Sequence, residues 1–560
     1  MKFHKLLTGL LAALVVMFAL AFAAPAPACA DIPEAQEDQT ELSADEIAAA
    51  LANGEVDTSS ASSDDAIALA SDNDYAITTI GGATRYDTSV METMSSFSSA
   101  STVVIASGEA WADSTAGAGL AGALDAPILL TASSYLPDVV SDAISTLGAS
   151  KVIILGGTEA VSADVESQLA SLVGDVVRLA GPTRYETQLA IVNYGVENGL
   201  WTGDYVAVTS GENFADALSF SPVAYSLHMP VFFANASATL DDEQVAAIKG
   251  LGKGGSFILG GTAVVSSATE SSLKGLGAVT RLGGNTRYDT SYAINTYAVN
   301  NFGFTWEGVA FSSGYKPWDS LGGGSMQGKN KKLLSLLENN GAKTEPSVYI
   351  DGKPSHVVFL GGKNVYSNAF KAQFAYKKGY SITDIQGFKV YIDAGHGWNS
   401  SNNDAYDCGA VGCGYEEASL TQELADKVAK VLNDKYGVAT YVNKSGWYKL
   451  RQAQASELDC GLFLSIHFNS GGGSGSESYI HTQNAAWGAD RLQSCVTGRL
   501  ASAIGLTNRG AKQMQLAVCG GNVPSTLVEI CFIDNQSDIN AYQAKKDSIA
   551  SALAEGIVAW

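Results

Sequence analysis

Four residues in the last third of the chain have types and surroundings that could do chemistry. His396 follows the strand-like run Lys389-Val390-Tyr391-Ile392-Asp393, through Ala394 and Gly395. Glu417 opens a segment in which Leu420, Leu424, Val428 and Leu432 recur at i, i+4, i+8 and i+12, as in a helix with one apolar face. His467 lies near the end of a second strand-like run, 461–469, and Glu529 sits inside a third, 526–532. Two imidazoles and a carboxylate at strand ends and a helix start form a catalytic zinc set that leaves one position for water, and a separate carboxylate must take the proton of that water. Zinc would polarise a carbonyl and acidify the water, so the implied reaction is hydrolysis of an amide or ester. A single strand histidine is more often a packing residue. Glu529 is harder to dismiss, because a carboxylate in an apolar strand is costly unless paired or used. The adjacent Glu416 leaves the carboxylate ligand open by one position, and His481 reads as a surface residue outside the set.

These residues must be positioned by the last of several domains. A chain of 560 residues implies about three to five domains at roughly 100–200 residues each. Upstream, three landmarks recur in order. TRYDT, TRYET and TRYDT stand at 84–88, 183–187 and 286–290; Ser-Gly-rich segments end at Asp113, Asp216 and Asp319; LGG stands at 155–157, 259–261 and 360–362. Self-similarity at a fixed period marks three homologous modules. Strand-like runs at 102–106, 127–130 and 151–155 alternate with helical stretches such as 139–147, which predicts a small, mainly parallel α/β sheet in each module. Thr-x-x-Asp/Glu in each TRY motif reads as a helix capping box. Asp113, Asp216 and Asp319 read as N-caps of the next helix. LGG reads as a strand end with a tight turn, since no phosphate-loop pattern is present. His228 and His356 are isolated and read as packing residues.

The N-terminus has Lys2 and Lys5, an apolar stretch over 6–24 and Ala28-Cys29-Ala30, the form of a secretory signal. Residues 31–75 then carry 13 Asp and Glu and no Lys or Arg, a composition expected to stay extended, with a short helix near 43–51. The net charge of −23 argues against nucleic acid and anionic lipid as partners. Six cysteines, Cys408, Cys413, Cys460, Cys495, Cys519 and Cys531, are confined to the last domain. In an exported protein that predicts one to three disulfides; a zinc site at Cys408 and Cys413 is the weaker alternative.

Two family resemblances rest on these motifs. Residues 77–373 resemble the cell-wall-binding repeat 2 family through GG-x-TRY-[DE]-T, SG-x3-[AW]-D, LGG and Pro127-Ile128-Leu129-Leu130. That resemblance implies three small Rossmann-like α/β repeats in a pseudo-threefold triplet, holding an exported protein noncovalently on an anionic secondary polymer of the Gram-positive wall. Arg85, Arg184 and Arg287 could supply local donors to such a polymer. Module two has Pro230-Val231-Phe232-Phe233 and module three Lys332-Leu333-Leu334 in place of the Pro-Ile-Leu-Leu segment, so equal binding by all three is not implied.

Residues 388–560 resemble the zinc-dependent N-acetylmuramoyl-L-alanine amidases of the type 3 family. The matching motifs are DAGHG at 393–397, GYEEASL at 414–420, LRQAQAS at 450–456, FLSIHFN at 463–469, NRGAK at 508–512 and LVEICFIDNQSD at 527–538. The resemblance implies an α/β domain with a mixed sheet flanked by helices, one zinc ion held by His396, Glu417 and His467, and Glu529 as the catalytic carboxylate. The substrate would be peptidoglycan, cut between N-acetylmuramic acid and L-alanine. Departures are Ala394 in place of Pro, Ser456 in place of Asn, and a longer Cys-bearing loop before Glu417. The expected organisation is a signal peptide (1–30), an acidic leader (31–75), repeats at 76–176, 177–279 and 280–373, a linker (374–387) and the amidase domain (388–560). The whole is expected to be a secreted, wall-associated, autolysin-like monomer. A catalytically silent wall protein or adhesin, and a zinc hydrolase that cuts a peptide–peptide bond, are the competing expectations.

Overall fold

A computed structural model of the chain describes residues 42–52, 75–338, 349–482 and 486–560. The expected signal segment and most of the acidic leader lie outside them. Within the leader a helix does form, Ala44–Ala52. Ser43 and Glu46 exchange hydrogen bonds at its start, and Ala50 packs on Leu450 with Leu42 and Trp447 alongside.

Each module is a four-stranded parallel sheet. The first holds β2 (Thr102–Ser107), β3 (Ile128–Thr131), β4 (Lys151–Leu155) and β5 (Asp175–Leu179), in the order 3-2-4-5. The second repeats this with β6 (Tyr205–Ser210), β7 (Val231–Ala234), β8 (Gly255–Leu259) and β9 (Ala278–Leu282), in the order 7-6-8-9. The third has β10 (Thr305–Ser313), β11 (Lys332–Leu337) and β12 (His356–Leu360), and its fourth strand is β1 (Ile77–Ile80), which precedes the first module in the chain. In every sheet the edge strand that follows LGG in space is thus the segment leading into a TRY motif, and the third sheet borrows that strand from the far end of the triplet.

The local chemistry explains these elements. Thr84 with Asp87, Thr183 with Glu186 and Thr286 with Asp289 form the three expected capping boxes. Gly156, Gly260 and Gly361 of the LGG motifs have φ of 104°, 102° and 112°, where any Cβ would be strained. Ile128, Leu129 and Leu130 are buried strand residues, as are Phe232 and Phe233 in the second module and Leu333 and Leu334 in the third. The Pro-Ile-Leu-Leu segment is therefore a core strand.

The expectation that Asp113, Asp216 and Asp319 cap helices is not met. The helices begin with Trp111 and Phe214 at the cap positions, and Asp319 closes a short 3-10 turn. The aspartates are instead turned into the module boundaries. Burial pushes the Asp113 carboxyl up to about 6 against the pull of Arg184, and the Asp216 carboxyl up to about 6 against that of Arg287. Asp319 is likewise raised by burial, with Thr88 and Arg85 opposing.

The C-terminal domain is built on a seven-stranded mixed sheet. β13 (Lys389–Trp398) and β18 (Leu462–Asn469) run parallel at its centre; β17 (Ala439–Ser445) flanks β13, and β21 (Ser525–Phe532) flanks β18. β19 (Ser476–His481) pairs antiparallel with β21, and β20 (Asn508–Met514) forms the edge. The short β14 (Tyr406–Asp407) folds back on the end of β13, and β15 (Val411–Gly412) with β16 (Tyr415–Glu416) makes a small hairpin. The amphipathic helix Glu417–Tyr436 buries Leu420, Leu424, Val428 and Leu432, as its spacing predicts. No helix among the described residues is long and apolar enough to cross a membrane.

The two parts of the chain meet through a polar junction. The Asn368 backbone N–H donates to the Asp459 carboxylate at 2.7 Å and its side chain to the Asp459 carbonyl at 2.9 Å, and Lys363 donates to the Glu457 carbonyl at 2.7 Å. Of the six cysteines expected to pair, Cys408 is disulfide-bonded, whereas Cys413, Cys460, Cys495, Cys519 and Cys531 are free thiols, so the expected pairing among these five does not form. Cys460, Cys519 and Cys531 instead fill core positions as small apolar side chains.

Candidate active site and metal centre

His396, Glu417 and His467 come together at the carboxyl end of the central strands. One ligand atom from each lies within 4.8 Å of the others. His396 follows the central register of β13 and has φ of 67°, a left-handed conformation that costs a non-glycine residue about 1–2 kcal/mol. β14 then brings Asp407 beside it: Gly397 pairs with Asp407 and Trp398 with Tyr406. His396 Nδ1 lies 2.8 Å from an Asp407 oxygen, and His396 Nε2 lies 3.1 Å from Glu417 Oε2. The other oxygen, Glu417 Oε1, is 3.1 Å from His467 Nδ1.

Glu417 is fully buried. It is held by two backbone donors, Ala410 N–H and Phe468 N–H, each at 2.9 Å, and it lies in the first turn of its helix, where the dipole favours an anion. Burial works against its ionisation, but the facing imidazoles hold its carboxyl well below the usual range. Glu416 points elsewhere, toward the Tyr406 hydroxyl at 3.4 Å. Burial would depress the His396 imidazole, but the facing Glu417 and Asp407 carboxylates lift it well above its usual range.

This donor set fits a divalent metal. A neutral imidazole has one N–H to donate, yet His396 faces a carboxylate with each nitrogen. If Nδ1–H is given to Asp407, the Nε2 lone pair points at Glu417 and calls for a cation between them. A carboxylate that fixes the outer nitrogen of a metal-bound histidine is a recurring support. Space is kept for the group by glycine: a Cβ on Gly409 would lie 2.6 Å from the His396 ring and 2.7 Å from Glu417 Oε2.

Glu529 occupies β21 directly opposite His467 on β18, and on its other side stands Glu477 of β19. Glu529 is half-buried. The sequence reading missed Glu477, which is 2% exposed and kept ionised, against its burial, by Lys512 and Arg509. The NRGAK segment thus supplies two cations beside the candidate catalytic carboxylate. The signal that singled out Glu529, a carboxylate in an apolar run, does not arise for Glu477, because the run Ser476–His481 is polar. Asp407 and Arg451 were also missed: Asp407 lies in a loop without periodicity, and Arg451 entered only as part of the LRQAQAS motif, with no role attached to it. His481 is 2% exposed, so the expectation of a surface residue is corrected. It ends β19 against Met514 of β20, inside the domain and outside the His–Glu–His group.

Residues 390–559 match the family described as N-acetylmuramoyl-L-alanine amidase. Residues 79–166, 178–270 and 281–371 each match the cell wall binding domain 2 (CWB2). The uncharacterized protein YqiI of Bacillus subtilis (strain 168) is 33% identical over 182 residues, 31% of this chain and 84% of that protein. The chain belongs to the N-acetylmuramoyl-L-alanine amidase family. N-acetylmuramoyl-L-alanine amidase LytC of the same organism is 29% identical over 498 residues, which span 87% of this amidase and 95% of LytC. Among solved structures, Cwp6 from Clostridium difficile aligns over 86% of this amidase and 79% of its own chain, at 22% identity and a TM-score of 0.48. The chain is thus a peptidoglycan amidase carried on three cell-wall-binding repeats.

Proposed function

We propose that this amidase is secreted, settles on an anionic polymer of a Gram-positive wall through its repeats, works as a monomer, and hydrolyses the amide between N-acetylmuramic acid and L-alanine with one zinc ion. The observation that carries the proposal is the convergence of His396, Glu417 and His467 within 4.8 Å, with Glu529 next to His467 in the sheet. The two imidazoles and the Glu417 carboxylate would hold the zinc, and Asp407 fixes the tautomer of His396. A zinc ion there supplies a Lewis acid for the scissile carbonyl and acidifies the attacking water. Glu529 takes the proton of that water and returns it to the departing L-alanine nitrogen. Lys512 and Arg509 hold Glu477 as an anion next to Glu529, so the proton acceptor works inside a charged strip and not alone in an apolar strand.

The test is digestion of purified wall followed by mass spectrometry. New L-alanine amino termini on intact glycan strands support the assignment; cleavage between stem-peptide residues sinks it. Glu529→Gln should lower turnover roughly 10²–10⁴-fold, the usual worth of a positioned proton acceptor, with zinc still bound. Undiminished lysis by that variant would remove Glu529 from the mechanism.

A further inference from the structure

Among the described residues Arg451 is the largest fully buried side chain, and the mechanism above does not use it. Its guanidinium donates from Nη1 to Asp393 Oδ1 at 2.6 Å and to the Ala394 carbonyl at 3.2 Å, and from Nη2 to the His396 carbonyl at 3.2 Å and the Gly446 carbonyl at 3.1 Å. The second oxygen of Asp393 accepts from Ser465 Oγ at 2.7 Å. Asp393 is fully buried. Ser465 lies on β18 opposite Asp393 in the parallel register, two residues before His467.

We infer that Arg451 and Asp393 form a buried clamp that sets the spacing of the two imidazoles, making Arg451 a positioning residue for the metal centre. The geometry ties one end of the clamp to the left-handed turn that presents His396 and the other, through Ser465, to the strand that presents His467. A planar guanidinium can serve these acceptors at once; an ammonium cannot keep the same fork. Stability alone is a weak reason for such a pair, since a buried ion pair gains little once both charges are desolvated. What it adds is geometry, at a site where ligands must be held to a fraction of an ångström. The Gly446 carbonyl extends the same grip, because Gly446 N–H donates in turn to the Trp398 carbonyl at 2.8 Å, so the turn is held on both flanks of His396.

The inference rests on His396 and His467 being metal ligands, and the experiment separates the two ideas. The full-length protein, stripped of metal, is titrated with zinc against a chromophoric chelator, and the melting temperature of the metal-free form is recorded. For Arg451→Lys the zinc dissociation constant is expected to rise roughly 10–100-fold, as for loss of an outer support, while the metal-free melting temperature stays within about 4 °C of wild type. Ser465→Ala, which cuts only the link toward His467, should weaken zinc in the same direction by a smaller factor. Wild-type affinity in both variants overturns the clamp. So does a fall in zinc affinity matched by collapse of the metal-free melting transition in both variants, which would make the pair structural only. A wild-type protein that binds no zinc overturns the ligand assignment itself.

Discussion

The guanidinium of Arg184 in the second repeat lies 5.4 Å from the ring centroid of Trp111 in the first, and it also faces the buried Asp113. The relationship is repeated around the triplet: Arg287 stands 5.9 Å from Phe214, and Arg85 stands 4.9 Å from Trp318. Each arginine also donates to a carbonyl of its own repeat, Gly211, Gly314 and Gly108 respectively. The TRY arginines therefore join repeats to one another, whatever part an exposed flank such as that of Arg184 takes in polymer binding.

Arg184→Ala should accordingly loosen the contact between the first two repeats. A cation over an aromatic face is worth about 0.5–2 kcal/mol depending on desolvation, so a loss of about 1 kcal/mol is expected in urea unfolding. Arg184→Lys should recover part of it, because charge over the ring is kept while the carbonyl contact is not. No change in either variant would refute a joining role.

The boundary aspartates give the triplet an acid-leaning stability. Asp113 and Asp216 titrate at about 6 when folded, above the ordinary value near 3.9 for an unfolded chain. Between those values the folded form holds more protons than the unfolded one, so this contribution raises stability as pH falls from about 6 toward 4 and lowers it as pH rises back. The effect is on the order of 2 kcal/mol for each carboxylate. Asp113→Asn with Asp216→Asn should flatten the difference between unfolding curves at pH 4 and pH 7 relative to wild type. An unchanged difference would contradict it.

Asp407→Asn should leave the fold and wall binding intact and weaken zinc roughly tenfold or more. The amide can still accept from His396 Nδ1 but brings no charge to the far side of the ring. Chelator competition and pull-down on purified wall, run side by side, separate the two effects.

Gly409→Ala tests the room beside the ligands. Gly409 has φ of 65°, and the added carbon would press on both His396 and Glu417. Displacement of a reacting group by about 1 Å can cost roughly 10²-fold in rate, and a loss of that size is expected, with zinc affinity falling in parallel. Wild-type turnover would show that the loop at 407–410 yields freely.

His396, Glu417, His467 and Glu529 were legible in the sequence because each stands at a change of pattern: a strand running into glycine, a helix beginning, a carboxylate in an apolar run. In the structure Glu417 faces both imidazoles and Glu416 faces the Tyr406 hydroxyl, a distinction that spacing alone left open. The supports could not be read. Asp407 reaches His396 across a loop with no period, Arg451 sits in a short helix whose sequence does not mark which residue turns inward, and Glu477 hides in a polar strand. In the repeats, the capping boxes and the glycine turns are local and were readable. The aspartates were misread as caps because their true partners, the arginines, lie about 70 residues further along or at the opposite end of the triplet. Cys413, Cys460, Cys495, Cys519 and Cys531 misled because the cysteine count suggested pairing among them, whereas these five are free thiols.

The pairing of β1 with β12 has a consequence for how the repeats can vary. With its last sheet completed by its first strand, the triplet is a closed ring, and its stoichiometry is set by closure and not by how much wall must be gripped. A fourth copy spliced into the chain would part those two strands, and loss of one copy would leave a sheet short. The chain also enters and leaves this ring at a single seam, where Ile77 bridges to Ile385 and accepts from the Gln386 N–H at 2.8 Å. The leader and the hydrolase therefore hang from the same point of the anchor, which lets the leader helix reach Leu450 without spanning the repeats.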